Sequence, residues 1–325
     1  MNKISKILLW LALFLFLALY PKIFGVYYTN VAVTFAIFAV YAVSCNMLLG
    51  YTGLLSFGHT IFFGAGGYGT ALALKHIEGI ALLPAIMIGF LAAMAFAIIL
   101  APLVVRVSGT AFCMLHLALG QVMYVMAQKL RNITGGEDGI GCIPPDLNIL
   151  NLYVIRLKDS PENFYYFAFI VLGLCILLMW YFTKTPFAQV QVGMRDNSKR
   201  VDYLGYNVTK SKALIYIISG AFAGVAGSIY GLSHTMVSVE GSLSVSVAFK
   251  PVIAIVVGGL GGFFGPVLGA AIIQLIEELV VRFTERVELV TGCILILIIM
   301  FAPSGAIGWI SYLKGKFLQT RQIKI

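Results

Sequence analysis

TKTPFAQVQVGMRDNSKRVDYLGYNVTKSK, residues 183–212, is a polar and basic island in an otherwise apolar chain. It carries Lys184, Arg195, Lys199, Arg200, Lys210 and Lys212 against Asp196 and Asp202, with a long apolar run on each side. Short loops rich in Lys and Arg stay on the cytoplasmic face of a membrane, so the island reads as a cytoplasmic loop that orients everything else. Pro186 and Gly205-Tyr206-Asn207 bracket residues 187–204, which have the signals of a short helix lying across the membrane face. Such a helix offers a docking surface.

Composition agrees. The 325 residues are 60% hydrophobic and 11% charged, against about 25% charged in soluble domains. With a mean hydropathy of +0.97, the chain reads as an all-α polytopic membrane protein. A single transmembrane domain over residues 1–325 is expected, and at about 20 residues per span some eight to ten crossings fit. The net charge of +9 sits at span ends, as the positive-inside bias requires, and does not call for nucleic acid. Cys45, Cys113, Cys142, Cys175 and Cys293 are scattered and odd in number, which gives neither a disulfide framework nor a zinc pair.

Working outward from the island, the apolar run 7–20 follows Lys3 and Lys6 and ends in Tyr20-Pro21-Lys22. That ending lacks the small residues of a cleavage site, so a retained first helix with a cytoplasmic N-terminus is expected. Further spans are expected over residues 29–49, 54–74, 80–105 and 110–128, with Arg106 inside. Residues 129–163, rich in Gly, Pro, Asn and Asp, form an outer loop that is turn-forming rather than helical. A span over 164–182 returns to the island, a cytoplasmic loop over 183–212. The next span, 213–232, carries Gly220, Gly224, Gly227 and Gly231, small residues spaced for close helix packing, within the chain ahead of between subunits.

The apolar block 251–279 is interrupted by GGLGGFFGP at residues 258–266. Glycine costs about 1 kcal/mol and proline about 3 kcal/mol inside a helix, so two short segments joined by irregular backbone are expected. A block that returns, followed by a last span over 289–303, places the basic tail Lys314, Lys316, Arg321 and Lys324 inside. The expected total is about eight full transmembrane helices plus this broken or re-entrant segment, with both termini cytoplasmic.

Catalytic signatures are missing from the sequence: there is no HExxH pair, no GxSxG elbow and no GxxxxGK[ST] phosphate loop. The chain is therefore expected to be no enzyme, with no ATPase site of its own and no metal site, since His59, His76, His116 and His234 are far apart in sequence. Its spans show no clear Asp or Glu, which weighs against a proton-coupled carrier. A sodium-coupled carrier or a channel stays open as another class. Both would work without companion subunits, and neither gives the basic island a task.

Residues 50–74, GYTGLLSFGHTIFFGAGGYGTALAL, resemble the inner-membrane permease subunits of branched-chain amino acid ABC importers, the LivM type. The likeness continues through RVSGTAFCMLHLALGQ at 106–121, TGGEDGIGCIP at 134–144, the stretch 195–231 and VGGLGGFFGPVLGAA at 257–271, in the family's order over about residues 30–310. One departure is His116, at a place where the family leads one to expect threonine.

The resemblance implies a division of labour. This chain would pair with a second related permease subunit, two separate ATPase subunits would bind ATP beneath, and an extracytoplasmic binding protein would deliver branched-chain or other apolar amino acids. Relatives carry urea or short amides. The island over 183–212 would then be the coupling loop, its helix engaging an ATPase subunit at the bacterial inner membrane through Arg195, Asp196, Asn197 and Arg200. Ser56, Gly58, His59 and Thr60 interrupt apolar sequence with glycine-rich backbone, which is tolerated at membrane depth only where buried or lining a cavity. They are translocation-pathway candidates, as are His116 and Gln121 on the fifth span, of which only one faces a lumen. Interhelical hydrogen bonding is the alternative role for all six.

Overall fold

The computed structural model describes residues 3–149, 153–155, 157, 160–260, 262–284, 286–301, 305 and 308. The basic tail from Lys314 to Lys324 and Gly261 of the glycine-rich break lie outside the described residues.

Long apolar runs become helices because every backbone N–H and C=O must be satisfied without water. Helix α1 (Lys3–Thr52) breaks at Gly25, whose φ of 76° only glycine adopts freely. The chain bends there enough for the Tyr20 hydroxyl to donate to the Tyr28 carbonyl, 3.4 Å away. The expected spans 7–20 and 29–49 are the two arms of this one element. At its other end Gly53, with φ of 71°, stops the helix, and the N–H groups of Gly53 and Leu54 reach back to the Leu49 and Leu48 carbonyls.

Helix α2 (Thr60–His76) starts only at Thr60, so the span expected over 54–74 is helical only in part. Residues 53–59 run as irregular chain, with Leu54, Ser56 and Gly58 buried, Leu55 and Phe57 half-buried against Val252 and Ile255, and Gly53 exposed. Helices α3 (Leu82–Val104) and α8 (Val208–Ser233) pack against α2 to make the centre of the protein.

Glycine sets how close these helices come. A Cβ on Gly227 would overlap the Phe63 carbonyl, one on Gly66 the Gly224 carbonyl, and one on Gly224 the Ala93 methyl. A Cβ on Gly220 would lie 3.0 Å from the Phe62 ring, and one on Gly231 would overlap Val237. All four glycines of the 213–232 repeat therefore meet neighbours inside this chain. Close backbone approach gains dispersion contacts that lipid tails cannot supply.

Helices α4 (Thr110–Lys129), α6 (Pro161–Phe182) and the basic α7 (Pro186–Tyr203) surround this centre. Residues 129–163 hold a short α5 (Arg131–Thr134), a 3₁₀ turn (Gly136–Asp138) and strands β1 (Ile140–Gly141), β2 (Leu147–Ile149) and β3 (Tyr153–Ile155). Instead of forming a free turn-rich loop, the segment is pinned: β1 pairs antiparallel with β4 (Met236–Val237), Ile140 opposite Val237. The Cys142 N–H donates to the Thr235 carbonyl at 2.8 Å, and burial pushes the Cys142 thiol up to about 12. This pairing places residues 129–142 and 234–243 at one end of the molecule, while α7 lies at the other.

The glycine-rich break is a helical hairpin. After a short α9 (Val239–Leu243), α10 (Val245–Gly258) runs inward and α11 (Gly265–Val280) returns against it. A Cβ on Gly258 would overlap the Gly265 carbonyl and one on Gly269 the Ala254 carbonyl. The 14 residues of α10 rise about 21 Å, short of the roughly 30 Å hydrocarbon core. Helix α12 (Val287–Phe301) follows.

Among the described residues six segments are long and apolar enough to cross a membrane: Leu19–Thr52, Leu82–Val104, Thr110–Lys129, Pro161–Phe182, Val208–Ser233 and Val239–Gly258. The last reaches that length by joining α9 and α10 across Ser244, whose backbone is extended. This is a multi-pass membrane protein whose spans are all helical, with short strand pairs outside them.

Candidate functional site

The irregular stretch 53–59 is where the chain brings its polar side chains together. His116, the polar residue that α4 turns inward, receives Ser56 and Tyr216 on its two ring nitrogens: Nδ1 lies 2.6 Å from Ser56 Oγ and Nε2 lies 2.9 Å from the Tyr216 hydroxyl. His59 Nε2 lies 3.1 Å from Ser44 Oγ, and Ser44 Oγ donates to the Tyr41 carbonyl at 2.8 Å. Ser219 Oγ closes the cluster by donating to the Ser44 carbonyl at 2.5 Å.

Donor and acceptor roles follow. Because the Ser44 proton goes to Tyr41, Ser44 accepts from His59 Nε2–H, which leaves His59 Nδ1 as a bare acceptor. Among the described residues the Ser56 and Tyr216 hydroxyls each meet only His116, so one hydroxyl donates to the bare ring nitrogen and the other accepts from the ring N–H. The rings are wedged by Phe62, whose centroid is 5.5 Å from His59, 5.8 Å from His116 and 5.2 Å from Tyr216. Ser44, Ser56, His59, His116, Tyr216 and Ser219 are all fully buried, and His59 Nδ1 and the Tyr41 hydroxyl have no hydrogen-bond partner. In this conformation the cluster is closed and buried, and its hydrogen bonds run between elements far apart in sequence.

Gly58 passes close under α4, since its Cβ would overlap the His116 carbonyl, and Thr60 is buried beside it. Gln121 points elsewhere. It borders an open apolar groove with Val122, Val125 and Met126 on the outer side of α4. Of the six pathway candidates the fold therefore gathers Ser56, Gly58, His59, Thr60 and His116, and leaves Gln121 out. Ser44, Tyr216 and Ser219 belong to the same cluster; the signal for them was polar side chains inside apolar runs, AVSCN and ALIYIISG.

Replacing His116 by phenylalanine strands the Ser56 and Tyr216 hydroxyls in an apolar interior. The expected loss is on the order of 2–4 kcal/mol. Thermal unfolding in detergent checks it: adding Tyr216→Phe to His116→Phe should cost less than the sum of the two single changes, and strict additivity would break the pairing.

The second assembly is α7. Ala188, Gln191, Met194 and Val201 are buried against the rest of the chain, and Gln191 Nε2 donates to the Ser211 carbonyl at 3.1 Å. Arg195 Nη1 donates to the Gly50 carbonyl at 2.6 Å, and a Cβ on Gly53 would lie 3.1 Å from Arg195 Cγ. Its other ionic contact, Nε to Asp196 Oδ1 at 3.6 Å, is exposed and adds little. At Asn197 (φ −159°, ψ 99°) the helix breaks, and Asn197 Oδ1 accepts from the Arg200 N–H at 3.1 Å, capping a second short turn. Asn207 caps α8 in the same way through the Lys210 N–H at 2.9 Å, so Lys210 and Lys212 belong to α8.

Beyond the hinge Lys199, Arg200, Tyr203, Leu204 and Tyr206 are exposed together. Sequence reading missed this apolar part of the surface. It also missed Lys250, the only charged residue between Glu240 and Glu277, which pairs with Glu277 across the hairpin at 3.0 Å.

A multi-pass helical protein whose chain loses regularity around a buried polar cluster, and which holds a hinged basic helix against that same stretch, has the build of a transport permease. The chain belongs to the family of permease components of branched-chain amino acid transport systems, whose profile matches residues 27–302. It is similar to the high-affinity branched-chain amino acid transport system permease protein LivM of Escherichia coli, 27% identical over 296 residues, covering 85% of this chain and 69% of that relative. To a LivM permease protein of Methanocaldococcus jannaschii it is 25% identical over 356 aligned positions, covering 94% and 93%. A LivH permease protein of the same organism matches at 32% over 139 residues, 42% of this chain and 43% of that one. No solved structure matches the chain.

Proposed function

We propose that the chain is one of two membrane-spanning subunits of an ATP-binding cassette importer that carries branched-chain or other apolar amino acids across the bacterial inner membrane. ATP is bound and hydrolysed by two separate subunits, and an extracytoplasmic binding protein delivers the substrate. The chain is then a transport subunit and no enzyme. One observation carries the reading: α7 is tied through Arg195 to Gly50, in the last turn of α1 just before the irregular stretch that ends in the His59 and His116 cluster. Movement imposed on α7 by an ATPase pair reaches that cluster, the plug of the pathway in this reading, through few residues. ATP drives such a switch only by interacting differently with its two states.

In this reading the α7 end faces the cytoplasm, as its basic residues require, and the β1–β4 end faces outward. The two arms of α1, helices α2, α3, α4, α6 and α8, and α12 make about eight crossings, and the α10–α11 hairpin enters from outside and returns. Lys199, Arg200, Tyr203 and Leu204 form the face that meets the ATPase subunit, while Asn197 sets its angle by capping.

The test is to extract the tagged chain in mild detergent and identify what accompanies it by mass spectrometry. A second permease subunit and two phosphate-loop ATPases are expected. The chain alone, passing substrate in liposomes without ATP, would make it a channel or carrier instead.

A further inference from the structure

Between α10, α11 and α12 lies a cavity of about 240 Å³, walled by Phe249, Ile253, Ile273, Ile276 and Ile294, with Lys250 and Glu277 among its lining. Lys250 Nζ is 3.0 Å from Glu277 Oε2, the two side chains are 31% and 20% exposed, and the ammonium lies 4.9 Å from the centroid of the Phe38 ring. A charge pair inside an apolar hairpin is poorly explained by stability. Well-packed apolar residues in place of such a pair are often neutral or better. Ionisable groups at membrane depth mark substrate or ion routes by default.

The pair also has unused capacity. An ammonium carries three donors and a carboxylate about four lone-pair sites, and their mutual contact consumes one of each. The site is thus a donor and an acceptor of opposite charge side by side, net neutral, with branched aliphatic walls. A lone anion or cation gains from one group and is repelled by the other. A zwitterion with an apolar side chain satisfies all three features. The volume, below the roughly 300–1,000 Å³ of drug-sized pockets, suits a small ligand.

Position connects the cavity to the plug. Lys250 is about 8 Å along α10 from the end that bears β1 and β4. The Phe249 ring, a wall of the cavity, packs 4.7 Å from Phe57 of the irregular stretch, and Val252 and Ile255 pack with Leu55 and Phe57. We propose that this cavity binds an apolar α-amino acid, its carboxylate on Lys250, its ammonium on Glu277 and its side chain against Phe249, Ile253 and Ile276. The proposal rests on the permease reading and adds a staging site ahead of the His59 and His116 plug.

The experiment uses the complete importer, purified, with Cys113 and Cys293 replaced by serine and Ile253→Cys as the reporter. Maleimide labelling of that cysteine is followed with leucine, with 4-methylpentanoate, which lacks the ammonium, and with 3-methylbutylamine, which lacks the carboxylate. Leucine at about ten times its Kd is expected to slow labelling roughly tenfold by occupancy. The two monopolar analogues should leave the rate unchanged. Glu277→Gln should abolish the protection while the complex still elutes intact and still labels.

Labelling indifferent to leucine, or slowed equally by all three compounds, overturns the site. So does protection that vanishes on delipidation and returns with phosphatidylethanolamine, which would assign the cavity to a lipid headgroup. Leucine uptake by cells carrying the whole importer separates the two levels. Absent uptake fails the permease reading, whereas normal uptake with unmoved labelling fails this site alone.

Discussion

Gly227→Leu is expected to leave almost no correctly folded protein in the membrane. The Cβ itself overlaps the Phe63 carbonyl, so the obstruction is backbone on the facing helix, and no rotamer of the new side chain relieves it. The relief available is to push α8 away from α2, which also opens the Gly66–Gly224 contact along the same seam and disturbs the contact of Gly224 with Ala93 of α3. Inserting a few extra atoms into a packed core costs about 1–3 kcal/mol, and prying two helices apart along several turns costs more. Because the clash begins at Cβ, Gly227→Ala should already show most of the effect. Gly173→Leu is the control: on exposed α6 surface, its Cβ meets nothing within 4 Å. Detergent extraction followed by size-exclusion chromatography reads the result. Monodisperse Gly227→Leu with an unchanged melting temperature would mean that the α2–α8 seam is not as drawn.

Much of this was open to inspection in the sequence, because apolar length and basic islands report directly on the cost of charge in hydrocarbon. The helix over 187–204, the close-packing glycines of α8 and the reversal at residues 258–266 all follow from local composition. Other features depend on partners far away along the chain. The bond from Tyr216 to His116 spans 100 residues, and that from Ser219 to Ser44 spans 175. A lone serine or tyrosine in an apolar run does not say what it will meet. The bend at Gly25 hid in a continuous apolar stretch, because one glycine there is compatible with either a kink or a straight helix. The late start of α2 was half legible: the span expected over 54–74 begins too early, while the irregular backbone around Ser56, Gly58 and His59 is plain in its glycine-rich sequence. The exit of residues 54–59 from the helix is set by Gly53 and by the close crossing of Gly58 under His116. Asn197, read as a coupling residue from resemblance, has a local task that its chemistry announces, since asparagine ahead of Ser-Lys-Arg is an N-cap.

Arg195→Ala is expected to cut ATP-driven uptake at least about tenfold while the importer still assembles, an effect of roughly 1.4 kcal/mol or more on the coupled step. Arg195 differs from its basic neighbours in direction. Its guanidinium turns back to the Gly50 carbonyl at 2.6 Å, and its aliphatic stem covers Gly53. Lys199 and Arg200 lie beyond the Asn197 break and are exposed. In the proposed reading Arg195 is a strut between α7 and the end of α1, and Lys199 with Arg200 is the surface offered to an ATPase subunit. The two kinds of variant should separate. Lys199→Ala with Arg200→Ala should release the ATPase subunits during purification. Arg195→Ala should retain them, yet lose the stimulation of hydrolysis by loaded binding protein. Arg195→Lys keeps the charge but gives up the planar guanidinium that reaches Gly50, so only partial recovery is expected. If Arg195→Ala instead sheds the ATPase subunits as readily as the Lys199 and Arg200 pair does, Arg195 is a docking contact and the strut is wrong. Uptake at the normal rate in Arg195→Ala would remove the link from α7 to the plug altogether.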